Sequence, residues 1–224
     1  MLYFAYGSNM WLEQIARRCP ETTYLGRGIL YDYVWQINER GLANVVQAHL
    51  YDNLTSSSND KSNTKNRPCV HGLVFDFGTS QRNEQNLDIH EGTRRGTYNK
   101  AYLDVELYLA PPQLRVSPEN VLAHLKKETG DMRVKEMKRI ESGVLVYLSE
   151  IHVTPAQIRR FDVSRMAKAV KCALSLGVPR AFIEQFIVPT IPGDLSSEME
   201  RVVGLPTGEE SEVKAEGDEM VRKV

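Results

Sequence analysis

The sequence predicts an α+β protein, a mixed barrel or curved sheet with helices at its periphery. Three observations predict it. Strand-like apolar runs outnumber helical ones along the chain, and no internal repeat is present that would turn those runs into a solenoid or a propeller. The chain is 224 residues long with 42% apolar residues, enough to furnish a substantial core.

Taken in order, LYFAY (2–6) has the density of a buried strand, and MWLEQIARRC (10–19) places Trp11, Leu12, Ile15, Ala16 and Cys19 at helical spacing. GSN (7–9) therefore sits at a strand-to-helix junction. Ser8 or Asn9 is a suitable N-cap, and Gly7 allows a sharp turn. The first amides of such a helix have no internal partners and form a ready anion site, though a plain turn accounts for the tetrapeptide equally well. YLGRGILYDYVWQIN (24–38) supplies two strand-length runs and GLANVVQAHL (41–50) another extended segment. DNLTSSSNDKSNTKNR (52–67) is polar throughout apart from one leucine and reads as a disordered surface insertion. CVHGLVFDF (69–77) returns to strand character, SQRNEQNLDIHE (80–91) is a short helix ending at Gly92, and TYNKAYLDVELYLA (97–110) is a long strand. SPENVLAHLKKET (117–129) has a Ser cap, Pro at the first helical position and a Gly130 stop, and it looks inserted. GVLVYL (143–148) is a further strand, and 163–176 and 180–188 form two helices. The acidic tail from 207 to 224 has little apolar content and is expected to be flexible.

Charge narrows the function. Lys plus Arg number 28 against 29 for Asp plus Glu, so no global field recruits nucleic acid or an anionic membrane, and a small-molecule partner fits better. Cys19, Cys69 and Cys172 are scattered, with no paired CxxC spacing and no His nearby in a metal pattern, and read as buried thiols of a reducing cytosol. The start lacks a charged leader and no 18-residue apolar run occurs, which points to the cytoplasm. The five histidines form no metal-ligand set, and no nucleophile elbow, Walker loop or dinucleotide glycine pattern is present.

The second informative stretch is LDIHEGTRRGTY (87–98). Leu87 and Glu91 lie four residues apart on one helical face, so an inward Leu87 carries Glu91 inward beside it. At a helix C-terminus, and partly buried, a carboxylate has its pKa raised towards that of a useful general base. A glutamate that swings to solvent or pairs with Arg94 or Arg95 is the plainer reading of the same letters. His90 faces away from its neighbour, Arg94 and Arg95 read as a solvated turn, and Asn44 faces either the barrel or water.

LYFAYGSNM at the start, the GLANVV and CVHGLVFDF strands, and then LDxxEGxxxGxY before a long strand together resemble the gamma-glutamylcyclotransferase family. The likeness covers roughly residues 2–110 and resumes at VYLSE and the SRMAKAVKCALSLGVPRAFIEQF helices. It implies a small mixed β barrel with peripheral helices, and ring closure of a gamma-glutamyl group by its own α-amine to give 5-oxoproline and a free amine, with no metal or cofactor demanded. It also implies that Glu91 is the catalytic acid/base, that the amides of Tyr6, Gly7, Ser8 and Asn9 form the substrate loop, and that Tyr98 and Tyr147 are pocket tyrosines, Tyr147 less securely because the connection before it is long.

On this reading residues 1–206 form a single cyclotransferase-like domain, with an insertion at about 52–67, an inserted helical segment at about 111–142 and the tail at 207–224. The opening and the closing helices look most like the enzyme acting on gamma-glutamyl amino acids. Relatives acting on gamma-glutamyl amines or glutathione, and a catalytically silent interaction module, are the alternatives. The oligomeric state is left open, a homodimer included.

Overall fold

A computed structural model of the protein describes residues 1–50, 67–79, 81–127, 137–195, 199 and 201. Its strands are β1 (Leu2–Ala5), β2 (Thr23–Tyr31), β3 (Tyr33–Ile37), β4 (Ala43–Gln47), β5 (Cys69–Asp76), β6 (Asn99–Leu109) and β7 (Met137–Leu148); its longer helices are α1 (Leu12–Arg18), α2 (Gln81–Glu91), α3 (Pro118–Lys127) and α4 (Arg160–Ser175).

Five strands close into a barrel in the order β1-β5-β2-β6-β7. All neighbours are antiparallel except β1 and β7, which meet in parallel at Tyr3 and Leu145 and complete the ring. A barrel this small has no room for a channel, so its interior is filled by side chains, among them the fully buried Phe4, Val74, Val105, Leu107 and Val144. Gly72 of β5 is the glycine that this close packing requires: a Cβ there would lie 2.3 Å from the Ala5 carbonyl oxygen and 2.8 Å from the Phe4 ring. β3 and β4 form a separate two-stranded sheet, entered from β2 through Asp32 at φ 66°, a left-handed position that Asp tolerates better than most residues.

α4 buries Val163, Met166, Ala167, Val170 and Ala173 and lies against the turn that follows β1. α1 packs on α3, which contributes the fully buried Val121. That contact makes α3 part of the core, since burying a valine stabilises by about 1.5 to 3 kcal/mol.

The structure corrects three expectations. The helix expected from Met10 is two pieces, a 3-10 turn at Ser8–Met10 and α1 from Leu12. The segment 111–142 is not all inserted helix, because Met137 to Ser142 belong to β7 and pair with the far half of β6, from Val105 with Glu141 to Leu109 with Met137. These strand residues point largely to solvent, so their polar composition hid the ladder. Ser8 and Asn9 cap no helix: Gly7 precedes the 3-10 turn, Trp11 precedes α1, and neither junction has a side-chain cap bond. The expected insertion at 52–67, Arg67 apart, and the tail at 207–224 lie outside the described residues.

Candidate active site

The loop after β1 is pinned from both sides. The Trp35 indole donates to the Tyr6 carbonyl at 2.9 Å, and the Tyr6 hydroxyl donates to the carbonyl of Tyr147 on β7. Beyond it the chain turns tightly, with the Met10 amide on the Gly7 carbonyl at 3.0 Å and the Trp11 amide on the Ser8 carbonyl at 3.1 Å. The amides of Gly7, Ser8 and Asn9 themselves meet no acceptor among the described residues.

Asn9 is buried, and all four of its side-chain hydrogen-bonding positions are used. Its Nδ2 donates to the Tyr3 hydroxyl at 2.8 Å and to Glu91 Oε1 at 2.9 Å. Its Oδ1 accepts from Gln14 Nε2 at 3.0 Å and Arg18 Nη1 at 2.7 Å. Glu91 is brought there as the last residue of α2, one turn beyond the fully buried Leu87. Gly92 then leaves the helix in the left-handed conformation at φ 64°, and a side chain there would also strike Thr97, with its Cβ 2.8 Å from Oγ1. Arg18 Nη1 stands 3.6 Å from Glu91 Oε1, while among the described residues Glu91 Oε2 has no partner.

Burial raises the Glu91 pKa above the ordinary 4.5, against the opposing pull of Arg18 and Asn9. Burial likewise lowers that of Arg18. The two shifts agree that each group loses more hydration than its partner returns, although the Glu91 side chain keeps 14% exposure on its open side. That opening is a cavity of about 330 Å³, within the range of small-molecule sites, reached by Glu91 and the Tyr6–Asn9 loop on one wall and by Gly41, Tyr98, Arg159 and Arg165 on others.

Tyr98 and Tyr147 also line this cavity, but their hydroxyl protons are spent on the protein: Tyr98 donates to the Ala43 carbonyl at 2.5 Å and Tyr147 to Asp88 Oδ1 at 2.7 Å. Burial holds the Tyr3, Tyr6, Tyr98 and Tyr147 phenols far above the usual value, so all four are neutral. Tyr147 thus ties the loop, through its carbonyl, to α2, through its hydroxyl. His90 borders the cavity rim while exposed, Arg94 and Arg95 lie outside it, and Asn44 is a buried clamp on Ser149 and His152.

Sequence reasoning missed Tyr3, Arg18 and the group formed by Arg159, just before α4, with Asp162 and Arg165 of α4. A tyrosine within a buried strand was the available signal for Tyr3, since its hydroxyl must find a polar partner there. Nothing local marks the others. No described helix is long and apolar enough to cross a membrane, and no three metal-ligating side chains gather among the described residues.

No protein-family model matches the sequence, and no curated protein matches it. Among solved structures, an uncharacterized protein from Homo sapiens is similar at 19% identity and a TM-score of 0.51, covering 91% of this chain and 97% of that one. The two share a fold. Structures named as gamma-glutamyl cyclotransferases are also similar: one at 18% identity and TM-score 0.49 over 90% of this chain and 98% of its own, and one from yeast, named as specific to glutathione, at 11% identity and TM-score 0.43 over 91% and 95%. Those two scores fall below 0.5, so the fold rests on the human protein.

Proposed function

We propose that this protein is a gamma-glutamyl cyclotransferase that releases 5-oxoproline and a free amino acid from gamma-glutamyl amino acids or dipeptides. The observation that carries the reading is the hydrogen bond between Asn9 and Glu91, which brings the YGSN and EGxxxGxY motifs into one cavity.

The chemistry follows from the groups available. The substrate's α-amine attacks its own gamma-carbonyl carbon, a C–N bond closes the five-membered ring, and the bond to the leaving amine breaks. Glu91, through the unpartnered Oε2, takes the proton from the attacking nitrogen and returns it to the leaving one, and a raised pKa suits it to both transfers. The open amides of Gly7, Ser8 and Asn9 are donors for the α-carboxylate or the developing oxyanion. Tyr98 and Tyr147, whose protons are directed elsewhere, offer oxygen lone pairs to the substrate ammonium and shape the wall that folds the glutamyl chain back on itself. Every step uses groups of the chain and the substrate.

The test is incubation of the purified protein with gamma-glutamyl-alanine and chromatographic measurement of 5-oxoproline. Stoichiometric release of alanine and 5-oxoproline is expected. Absence of both, with gamma-glutamyl-lysine and glutathione also inert, removes the reading.

A further inference from the structure

The cavity carries more positive charge than the proposed chemistry uses. Arg18, Arg40, Arg159 and Arg165 line it against two carboxylates, Glu91 and Asp162. Arg18 is committed to Asn9 and Glu91. Asp162, buried at the start of α4, is shared: its Oδ2 accepts from Arg159 Nε at 2.9 Å and its Oδ1 from Arg165. Arg40 is left without an acidic partner among the described residues.

Arg40 belongs to the same edge of the cavity as Arg159. Gly41, the next residue, sits at φ 72° directly under the Arg159 stem, where a Cβ would lie 2.3 Å from Arg159 Cγ. The Arg159 guanidinium is in turn set over the Phe161 ring at 4.7 Å. Two guanidinium groups, Arg159 and Arg165, share the one carboxylate of Asp162, and the exposed Arg40 adds a further cation to the lining of the same cavity. The loop amides and Arg18 stand beside Glu91, on the glutamyl side. Arg40 and Arg159 line the remainder of the same cavity.

We infer that Arg40, backed by Arg159, is an anion subsite that takes the carboxylate of the leaving amino acid, and so sets the preference for acid-bearing leaving groups over plain amines. The inference rests on the cyclotransferase reading and adds to it a specificity-determining residue. A gamma-glutamyl amino acid brings two carboxylates and one ammonium, matching a glutamyl site plus a second cationic one. A gamma-glutamyl alkylamide lacks the second carboxylate and leaves Arg40 unused.

Two measurements test it. The first is the ratio of kcat/KM for gamma-glutamyl-alanine to that for gamma-glutamyl-ethylamide, the same molecule without the leaving-group carboxylate, in wild type, Arg40→Gln and Arg40→Lys. The ratio should fall about tenfold in Arg40→Gln, chiefly through KM for the acid, and less in Arg40→Lys, which keeps the charge. An unchanged ratio in Arg40→Gln overturns the subsite while leaving the activity standing. The second is calorimetric titration of gamma-glutamyl-alanine into Glu91→Gln and into the double variant Glu91→Gln/Arg40→Gln, which reads binding without turnover. Affinity about tenfold weaker in the double variant supports the subsite, and equal affinity overturns it. If neither substrate is turned over by wild type, and gamma-glutamyl-lysine and glutathione are inert as well, the cyclotransferase reading falls and the titration still decides whether Arg40 binds a carboxylate.

Discussion

Asn9 and Glu91, 82 residues apart, are joined by one hydrogen bond of 2.9 Å, and the same Asn9 amide group also holds the Tyr3 hydroxyl at 2.8 Å. Asn9→Ala therefore deprives four buried or half-buried partners at once. We expect a loss of about 1 to 3 kcal/mol in stability, read by thermal or denaturant unfolding, together with lowered kcat/KM. Ser8→Ala removes only a hydroxyl that accepts from Gln14 at 3.2 Å and should cost less than about 1 kcal/mol. Equal effects of the two substitutions would contradict the central position given to Asn9.

Glu91→Gln keeps the shape of the side chain and the acceptor for Asn9 but cannot exchange a proton. Cyclisation of gamma-glutamyl-alanine should slow by roughly 100-fold to 10,000-fold, with the melting profile still cooperative. Activity near that of wild type in this variant would end the proposed mechanism.

The pH dependence carries a definite sign. Glu91 must be ionised to act as base, and its pKa lies above the ordinary 4.5, so the acid limb of kcat/KM should bend above that value. Arg18 pulls the Glu91 pKa down, so Arg18→Gln should move the limb to higher pH. Because the folded pKa exceeds the unfolded one, the contribution of Glu91 to stability is fully present below the unfolded value and is lost as pH rises through the folded value. Tm measured across about pH 4 to 7 should show this loss in wild type and lack it in Glu91→Gln. An acid limb at or below the ordinary glutamate value assigns it to another group.

Gly7 has φ −127°, outside the left-handed region, so alanine is not barred by backbone strain. Its limit is space: a Cβ there would stand 3.0 Å from the Cβ of Ala43 on β4. Gly7→Ala should therefore shift the loop by a few tenths of an ångström and lower kcat/KM, because reaction geometry tolerates little displacement. Ala43→Gly in the same chain should restore activity. Failure of that rescue, measured as kcat/KM for the single and double variants, would place the role of Gly7 elsewhere.

How much of this was legible in the letters differs between elements and site. Leu2–Ala5, Cys69–Asp76, Gln81–Glu91 and Asn99–Leu109 fall where strand-like runs and the 3.6-residue period put them, because local burial patterns act within a few residues. The inward turn of Glu91 follows from Leu87 by the same logic, and the glycine after it follows from the left-handed exit of the helix. The first half of β7 was illegible because its outward residues carry no alternation, only pairing with β6.

The sequence by itself determined the alternation of apolar runs and turns, the helix that ends at Glu91 and the sharp junction at Gly7. Only the tertiary structure decided that Asn9 is a buried hub rather than a cap, that Tyr147 spends its hydroxyl on Asp88, and that Arg18, Arg40, Arg159 and Asp162 gather around one cavity. The reason is physical: backbone propensity is set by neighbours along the chain, whereas the partner of a polar side chain is set by which strands close the barrel beside it, and β1 meets β7 at two residues 142 positions apart, Tyr3 and Leu145.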